Sequence, residues 1–514
     1  MTTRERGTTS APWLIPGLFG LLAFFLALLP GLLGAYGIFI DEFYYVACAR
    51  RLAWGYVDHP PFAPFLLRLA ITFGGEHLVV LRLLSSAFAF LTVFGTGLLA
   101  WRLGANRFGQ ALASAAMLSA PIAQVIVGFY SMNAMEPVLW LALCWLLVEI
   151  ARGAPPSLWL AFGAVAGLAA MTKHTVLTFL LAAAGAMLLT PARRQLLTRW
   201  PWLAAIVAAI IVAPNVVWQA AHGWPSLEFY RNAALQKNQP IGPLQVLVQQ
   251  ITTMSPGTVP LSLAGLVLLL RRRATEDLRH LALTFLILLG MLMISGQSRP
   301  DRILGIYPLM FAAGGAAIGA YGVSRRWVRA SAMAWVIAWG VLLLPVGVPV
   351  LPPAQLAAYA TALGIVPQLE RGEGKRTALP QWFADRLGWE PLISDVAAVR
   401  DALPESERRE VVFFAPSYGQ AGALEWLGAS RGLGPVYSTH NTYHLWGPPP
   451  RDPAVAIVVG ESRVHLEKLF DSVEFAKRHE CGLCMPWRNG MPIWVVRGPR
   501  VDFGAQWPSW RHFE

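Results

Sequence analysis

The sequence predicts an α-helical polytopic membrane protein followed by a soluble α/β domain, on three observations. Hydrophobic residues fill 55% of the 514 positions and charged residues only 14%, against roughly a quarter charged in a soluble domain. Apolar runs of about 17 to 25 residues, the length that spans a bilayer, recur between residues 12 and 351. Lys and Arg cluster in the short loops at alternate ends of those runs, as the positive-inside rule requires. These loops account for the formal net charge of +12, so no nucleic-acid partner is implied.

Taken in order, Arg4 and Arg6 place the N-terminus inside, and a first span at 12–39 carries the chain out. Its apolar run exceeds the 7 to 15 residues of a signal-peptide core, so it reads as an uncleaved membrane helix. An outer segment follows at 40–77, with two helices expected to lie in the interface, the second opened by Pro60 and Pro61. Span two (78–101) returns to Arg102 and Arg107, span three (109–128) leads out, and span four (136–151) returns to Arg152. The apolar stretch that follows is too long for one span and is broken at Thr172-Lys173-His174, which gives two short helices meeting on the outer side. Spans seven (201–220), eight, nine (279–295), ten (303–321) and eleven (331–351) complete the set, with an outer loop at 221–243. About eleven spans leave 352–514 outside, and residues 1–351 form the membrane domain. The C-terminal segment has charged helices and three short apolar strands, "VVFFA", "AVAIVVG" and "MPIWVVRG", each flanked by turn residues.

Ionisable side chains at membrane depth are costly and point to function. Here they collect on the outer face: Asp41, Glu42, Asp58, His59, Glu136, Lys173, His174, His222, Arg231, Lys237, Arg299, Asp301 and Arg302. Several have a plain structural reading as well. Asp41 and Glu42 fit the N-terminal charge of a helix, and Glu136 fits the same role at span four. Tyr44 and Tyr45 fit either an aromatic belt or a site lining. His174 fits a helix end, and Arg299-Pro300-Asp301-Arg302 fits a self-neutralising turn.

Five motifs stand in order on this face: "DE" after span one, "HPP" in the first outer loop, "MNAMEP" at span four, "MTKH" at the broken helix, and "RPDRILGIYP" at span ten. With "GGEHLVVLRLLSSAFAF", this series resembles GT-C glycosyltransferases of the family 39 and 83 type over residues 12–322. That group includes protein O-mannosyltransferases and the lipid A aminoarabinose transferase. The resemblance implies an inverting transfer of a sugar from a polyprenyl phosphate, such as undecaprenyl phosphate, to an acceptor hydroxyl at the outer face of a bacterial cytoplasmic membrane. The acceptor is a glycolipid, a polysaccharide or a protein, and membrane lipids surround the site. Carried over residue by residue, Asp41 is the catalytic base, with Glu42 and Glu136 as further acids. From their charge and place, Lys173, Arg299, Arg302 and His59 are the candidates for the donor phosphate, and Tyr44, Tyr45, Asp58 and His174 for lining the substrate. His59 departs from relatives that keep a lysine before the Pro-Pro. "FADRLGW", "YGQAGALEW" and "THNTYHLWGP" resemble a domain of bacterial members, and that likeness implies no further chemistry.

Some GT-C enzymes use a divalent metal, for which Glu136 with His59 or Asp58 is the candidate set; no cofactor is otherwise implied. A transporter or flippase of lipid-linked sugars is the alternative, supported by the break at Lys173 because transporters place charges in broken helices. A glycan ligase or polymerase is closer in chemistry but calls for a larger acceptor loop than 221–243. Cys48 and Cys144 sit in apolar surroundings. Cys481 and Cys484 are expected to form a structural disulfide, in keeping with an oxidising compartment.

Overall fold

The computed structural model describes residues 11–238, 240–271, 277–297, 299–321, 325–365 and 377–514. Arg4, Arg6 and the side chain of Lys237 lie outside the described residues. The chain divides into two compact units. The first is Met1–Leu33, Arg82–Val216 and Pro240–Val350, and the second is Gly34–Leu81, Val217–Gln239 and Leu351–Glu514.

The first unit is helical. Leu14–Leu33, Leu78–Arg102, Met132–Ala151, Trp200–Ala221, Pro300–Tyr321 and Arg326–Gly347 are long and apolar enough to cross a membrane. Two further candidates are bent pairs, Arg107–Leu118 with Pro121–Val127 at 66°, and Pro243–Thr253 with Pro256–Leu270 at 91°. A proline stands just after each break (Pro121 and Pro256), where its missing N–H and fixed φ disfavour continuation of the preceding helix. Leu158–Ala170, Val176–Leu188 and Arg279–Ser295 are shorter apolar helices. The eleven expected spans fall on these helices and bent pairs, of which six, or up to eight with the bent pairs, are long and apolar enough to cross a membrane. Span one, expected to reach residue 39, ends at Leu33, and the expected break at Thr172-Lys173-His174 separates Leu158–Ala170 from Val176–Leu188.

Lipid chains are as apolar as leucine, so helices in a bilayer associate through close packing. Small residues provide it here. A Cβ on Gly109 would lie 2.4 Å from the Gly315 carbonyl oxygen, and one on Gly314 would lie 2.1 Å from that of Leu261. The Tyr307–Tyr321 helix is thereby held against two neighbours at backbone distance. Trp140, Phe179, Leu143, Leu288 and Phe311 fill the surrounding core.

The second unit contains a five-stranded sheet: β1 (Val412–Phe414), β2 (Val436–Tyr437), β3 (Val455–Val459), β4 (Phe470–His479) and β5 (Met491–Pro499). The order is β2-β1-β3-β5-β4. β1 runs parallel to β2 and β3, and β5 runs antiparallel to β3 and β4. The three strands expected from apolar runs are β1, β3 and β5. The edge strand β4 has no apolar run to reveal it, because most of its residues are exposed and many are charged. Helix Ile40–Arg50 is buried from Glu42 to Ala49, packed among Trp389, Leu392, Leu424 and Tyr443. Phe62–Gly74 instead exposes Phe65, Leu69 and Phe73 on one face, the pattern of an interfacial helix.

Cys481 and Cys484 are joined as a disulfide, and Cys48 and Cys144 are buried free thiols. Next to the disulfide, the fully buried Arg488 pairs with Asp385 at 3.0 Å, donates to the Leu387 carbonyl at 2.9 Å, and stacks 3.7 Å from the Trp389 ring centroid. Removing one member of a buried pair strands the other charge, at a cost of about 3–5 kcal/mol. Arg488→Met is thus expected to destabilise this sheet unit by about that amount, measured as lost hydrogen-exchange protection in β3 and β5. Unchanged protection would show that Asp385 finds another partner.

Candidate functional site

The predicted site residues fall into two clusters, one in each unit. In the second unit, helix Ile40–Arg50 is the next helix in the chain after Leu14–Leu33, separated from it by residues 34–39. Its Glu42 is fully buried and accepts from the Phe39 amide at 2.8 Å, so it caps the helix on which Asp41 stands. Asp41 is half-buried, and its Oδ1 accepts a hydrogen bond from the Tyr418 hydroxyl at 2.8 Å.

One turn on, the Tyr44 hydroxyl donates to Asp58 Oδ1 at 2.8 Å and lies 2.5 Å from Thr442 Oγ1. The Thr442 amide donates to Tyr44 at 3.2 Å, and the Val57 amide donates to Thr442 Oγ1 at 3.1 Å. Burial, and then the neighbouring Asp58 carboxylate, push the Tyr44 hydroxyl well above its ordinary pKa. It stays protonated and donates. His59 is 1% exposed. Its Nδ1 lies 3.0 Å from the Pro60 carbonyl, and its ring stacks on Tyr45 with centroids 4.7 Å apart and rests beside Tyr56. Among the described residues its Nε2 has no hydrogen-bond partner.

In the first unit, three chain breaks bring the remaining residues together. Ser131 caps Met132–Ala151 by accepting from the Asn133 amide, and Glu136 follows one turn later. Lys173 stands in the break before Val176–Leu188, and Arg299 opens the 3-10 turn Pro300–Ile306. Lys173 Nζ lies 2.7 Å from Glu136 Oε2 and 3.8 Å from Asp301 Oδ2. Thr175 Oγ1 donates to the other Glu136 oxygen. Arg299 grips Asp301 with a fork, at 3.0 and 3.1 Å.

Among the described residues Glu136, Lys173, Arg299, Asp301 and Arg302, three cations stand with two carboxylates. Arg302 is the remainder: half-buried, and among the described residues its side chain makes no hydrogen bond or ion pair. A cluster with one cation in excess suits an anion, and a guanidinium matches phosphate geometry with two parallel donors. His174 is half-buried beside Lys173 in the same break. Among the described residues, no three His, Cys, Asp or Glu side chains are grouped so as to hold a metal ion.

Tyr418, Thr442 and Thr175 complete these clusters and were not among the expected site residues. Tyr418 opens "YGQAGALEW" and Thr442 lies within "THNTYHLWGP", the stretches expected to carry no further chemistry. Their repeated aromatic and polar residues were the available signal.

Residues 58–218 match the model of a family described as dolichyl-phosphate-mannose-protein mannosyltransferase. That stretch carries Asp58, His59, Glu136, Lys173 and His174. No curated protein matches the chain. Two crystal structures of ArnT from Cupriavidus metallidurans are similar to it. The apo state gives a TM-score of 0.58 at 15% identity, covering 93% of this chain and 97% of that one. The form bound to undecaprenyl phosphate gives 0.59 at 15% identity, covering 95% and 98%. The GT-C-like fold expected from the five motifs is thus the fold this chain has.

The Lys173–Glu136 pair yields a prediction of its own. Lys173→Met leaves Glu136 without its cation and Glu136→Gln leaves Lys173 only the more distant Asp301, whereas the double variant removes both charges. The double is expected to be more stable than the summed singles by about 1–3 kcal/mol, read from unfolding in detergent. Simple additivity would mean that the two charges do not depend on each other.

Proposed function

We propose that this chain is an inverting glycosyltransferase that moves a sugar from a polyprenyl phosphate, undecaprenyl phosphate in a bacterial membrane, to an acceptor hydroxyl at the outer face. The observation that carries the reading is Asp41: a half-exposed carboxylate just beyond the first apolar helix, held by a tyrosine hydroxyl. The family match over 58–218 and the fold shared with an ArnT structure bound to undecaprenyl phosphate support it. In this reading the N-terminus is cytoplasmic, residues 352–514 form an extracytoplasmic domain, and residues 1–351 form the membrane domain.

Asp41 removes the proton as the acceptor oxygen attacks the anomeric carbon. The bond from that carbon to the phosphate oxygen breaks, and its electron pair leaves on the lipid phosphate. A positioned general base contributes about 10²–10⁴ in rate. The departing dianion needs positive charge near it, and Arg302, Lys173 and Arg299 supply it. Glu136 and Asp301 hold the Lys173 ammonium and the Arg299 fork in place. Tyr44, Tyr45, Asp58 and His174 line the substrate region, with Glu42 supporting Asp41 through the helix cap. His59, buried among Tyr44, Tyr45 and Tyr56, holds the wall of that region.

The test is transfer in host membranes, scored by mass spectrometry of the glycan that deletion of the gene removes. Asp41→Asn is expected to lower the rate by at least about 10²-fold with the protein still folded. Arg302→Ala is expected to raise the apparent KM for the lipid donor about tenfold or more. Full activity of Asp41→Asn would overturn the base assignment, and an unchanged donor KM in Arg302→Ala would overturn the phosphate assignment.

A further inference from the structure

We infer that Tyr418 is a positioning residue for Asp41, so that the C-terminal segment completes the reacting group. The inference rests on Asp41 being the base. The two residues are 377 positions apart, and their oxygens are 2.8 Å apart.

The contact is built from several sides. Helix Tyr418–Trp426 lies on helix Ile40–Arg50 through two glycines on one face. A Cβ on Gly419 would lie 2.1 Å from Ile40 Cγ1, and one on Gly422 would lie 2.9 Å from the Phe43 carbonyl carbon. Neither position has room for a side chain while the hydroxyl stays where it is. At the far end, Glu425 accepts from Arg50 at 3.2 Å and from the Tyr443 hydroxyl at 2.8 Å, and pairs with Arg51 at 2.9 Å. The Tyr418 amide donates to His440 Nδ1 at 3.3 Å. Its ring is enclosed by His440 at 5.1 Å and Tyr44 at 4.7 Å between centroids. The ring cannot turn away without breaking the stack.

Burial, and then the Asp41 and Asp58 carboxylates, raise the Tyr418 hydroxyl well above its ordinary pKa. It therefore remains a donor throughout the working range. Among the described residues, titratable groups near the pair include Asp58 through Tyr44, His440 behind the ring, and Asp385. A hydroxyl donating to a carboxylate favours the charged form and fixes its rotation. A base held at the right angle is worth more than one that turns freely.

The experiment uses the full chain in host membranes, following the initial rate of formation of the glycan lost on deletion, from pH 3 to 9, so that the carboxylate limb lies inside the range. Tyr418→Phe keeps the ring and removes one oxygen. It is expected to lower the rate about tenfold and to move the acidic limb of the profile up by about half to one pH unit. The sign follows because a carboxylate without its donor holds its proton to higher pH. Gly422→Val, which displaces the whole helix, is expected to lower the rate at least as much. A wild-type rate and limb in Tyr418→Phe, with Asp41→Asn inactive, would overturn the inference alone. A lower rate with an unmoved limb would overturn it too, leaving Tyr418 a structural role only. An active Asp41→Asn would instead overturn the base assignment on which the inference rests, and a deletion that removes no glycan would overturn the glycosyltransferase reading.

Discussion

The cost of removing charge from water governs the rest of this structure. An ionisable side chain at membrane depth is tolerated only with a partner or a task, and the two clusters meet that condition differently. Glu136, Lys173, Asp301 and Arg299 neutralise one another within hydrogen-bonding or ion-pair distance. Arg302 is left with its charge uncompensated by a direct partner among the described residues. Asp41 stands at a helix start whose cap is supplied by its neighbour Glu42, so capping does not occupy it. Arg302 and the half-exposed Asp41, the latter held by the Tyr418 hydroxyl, are the groups to which the proposed chemistry is assigned.

Most of the helical architecture was legible in the sequence because its cause is local. A bilayer demands a run of apolar residues of nearly fixed length, so composition alone locates Leu14–Leu33, Leu78–Arg102 and their counterparts. The break at Lys173 was equally visible, since a charge followed by histidine interrupts the apolar run. Strands β3 and β5 announce themselves as largely buried runs rich in β-branched residues, and β1 as a short apolar Val-Phe-Phe run. β4 does not, because its exposed side carries Asp471, Glu474, Lys477 and Arg478 and reads as a surface loop or helix.

The site was legible only in part, and for a physical reason. Asp41, Glu136, Lys173 and Arg302 are conspicuous because charge beside a membrane span is rare. Tyr418 and Thr442 are not, because a tyrosine or threonine in a soluble segment is unremarkable in composition. Their role comes from pairing with residues nearly 400 positions away, and no periodicity encodes such a pairing. Gly419 and Gly422 were the trace it left: two glycines three apart in a helix lower its intrinsic stability, and the close approach to Ile40 and Phe43 explains them. Glu42 shows the converse. Its charge invited a catalytic role, and the structure occupies it as a cap.

A single carboxylate acting as base on the acceptor, with the lipid phosphate leaving from the opposite face, allows one stereochemical course. Retention would require a second carboxylate as nucleophile and a covalent glycosyl intermediate. The most direct measurement is therefore the anomeric configuration of the transferred sugar, read by NMR coupling constants in the product and in its polyprenyl-phosphate donor. Opposite configurations are the result this account predicts, and the same configuration in both would contradict it.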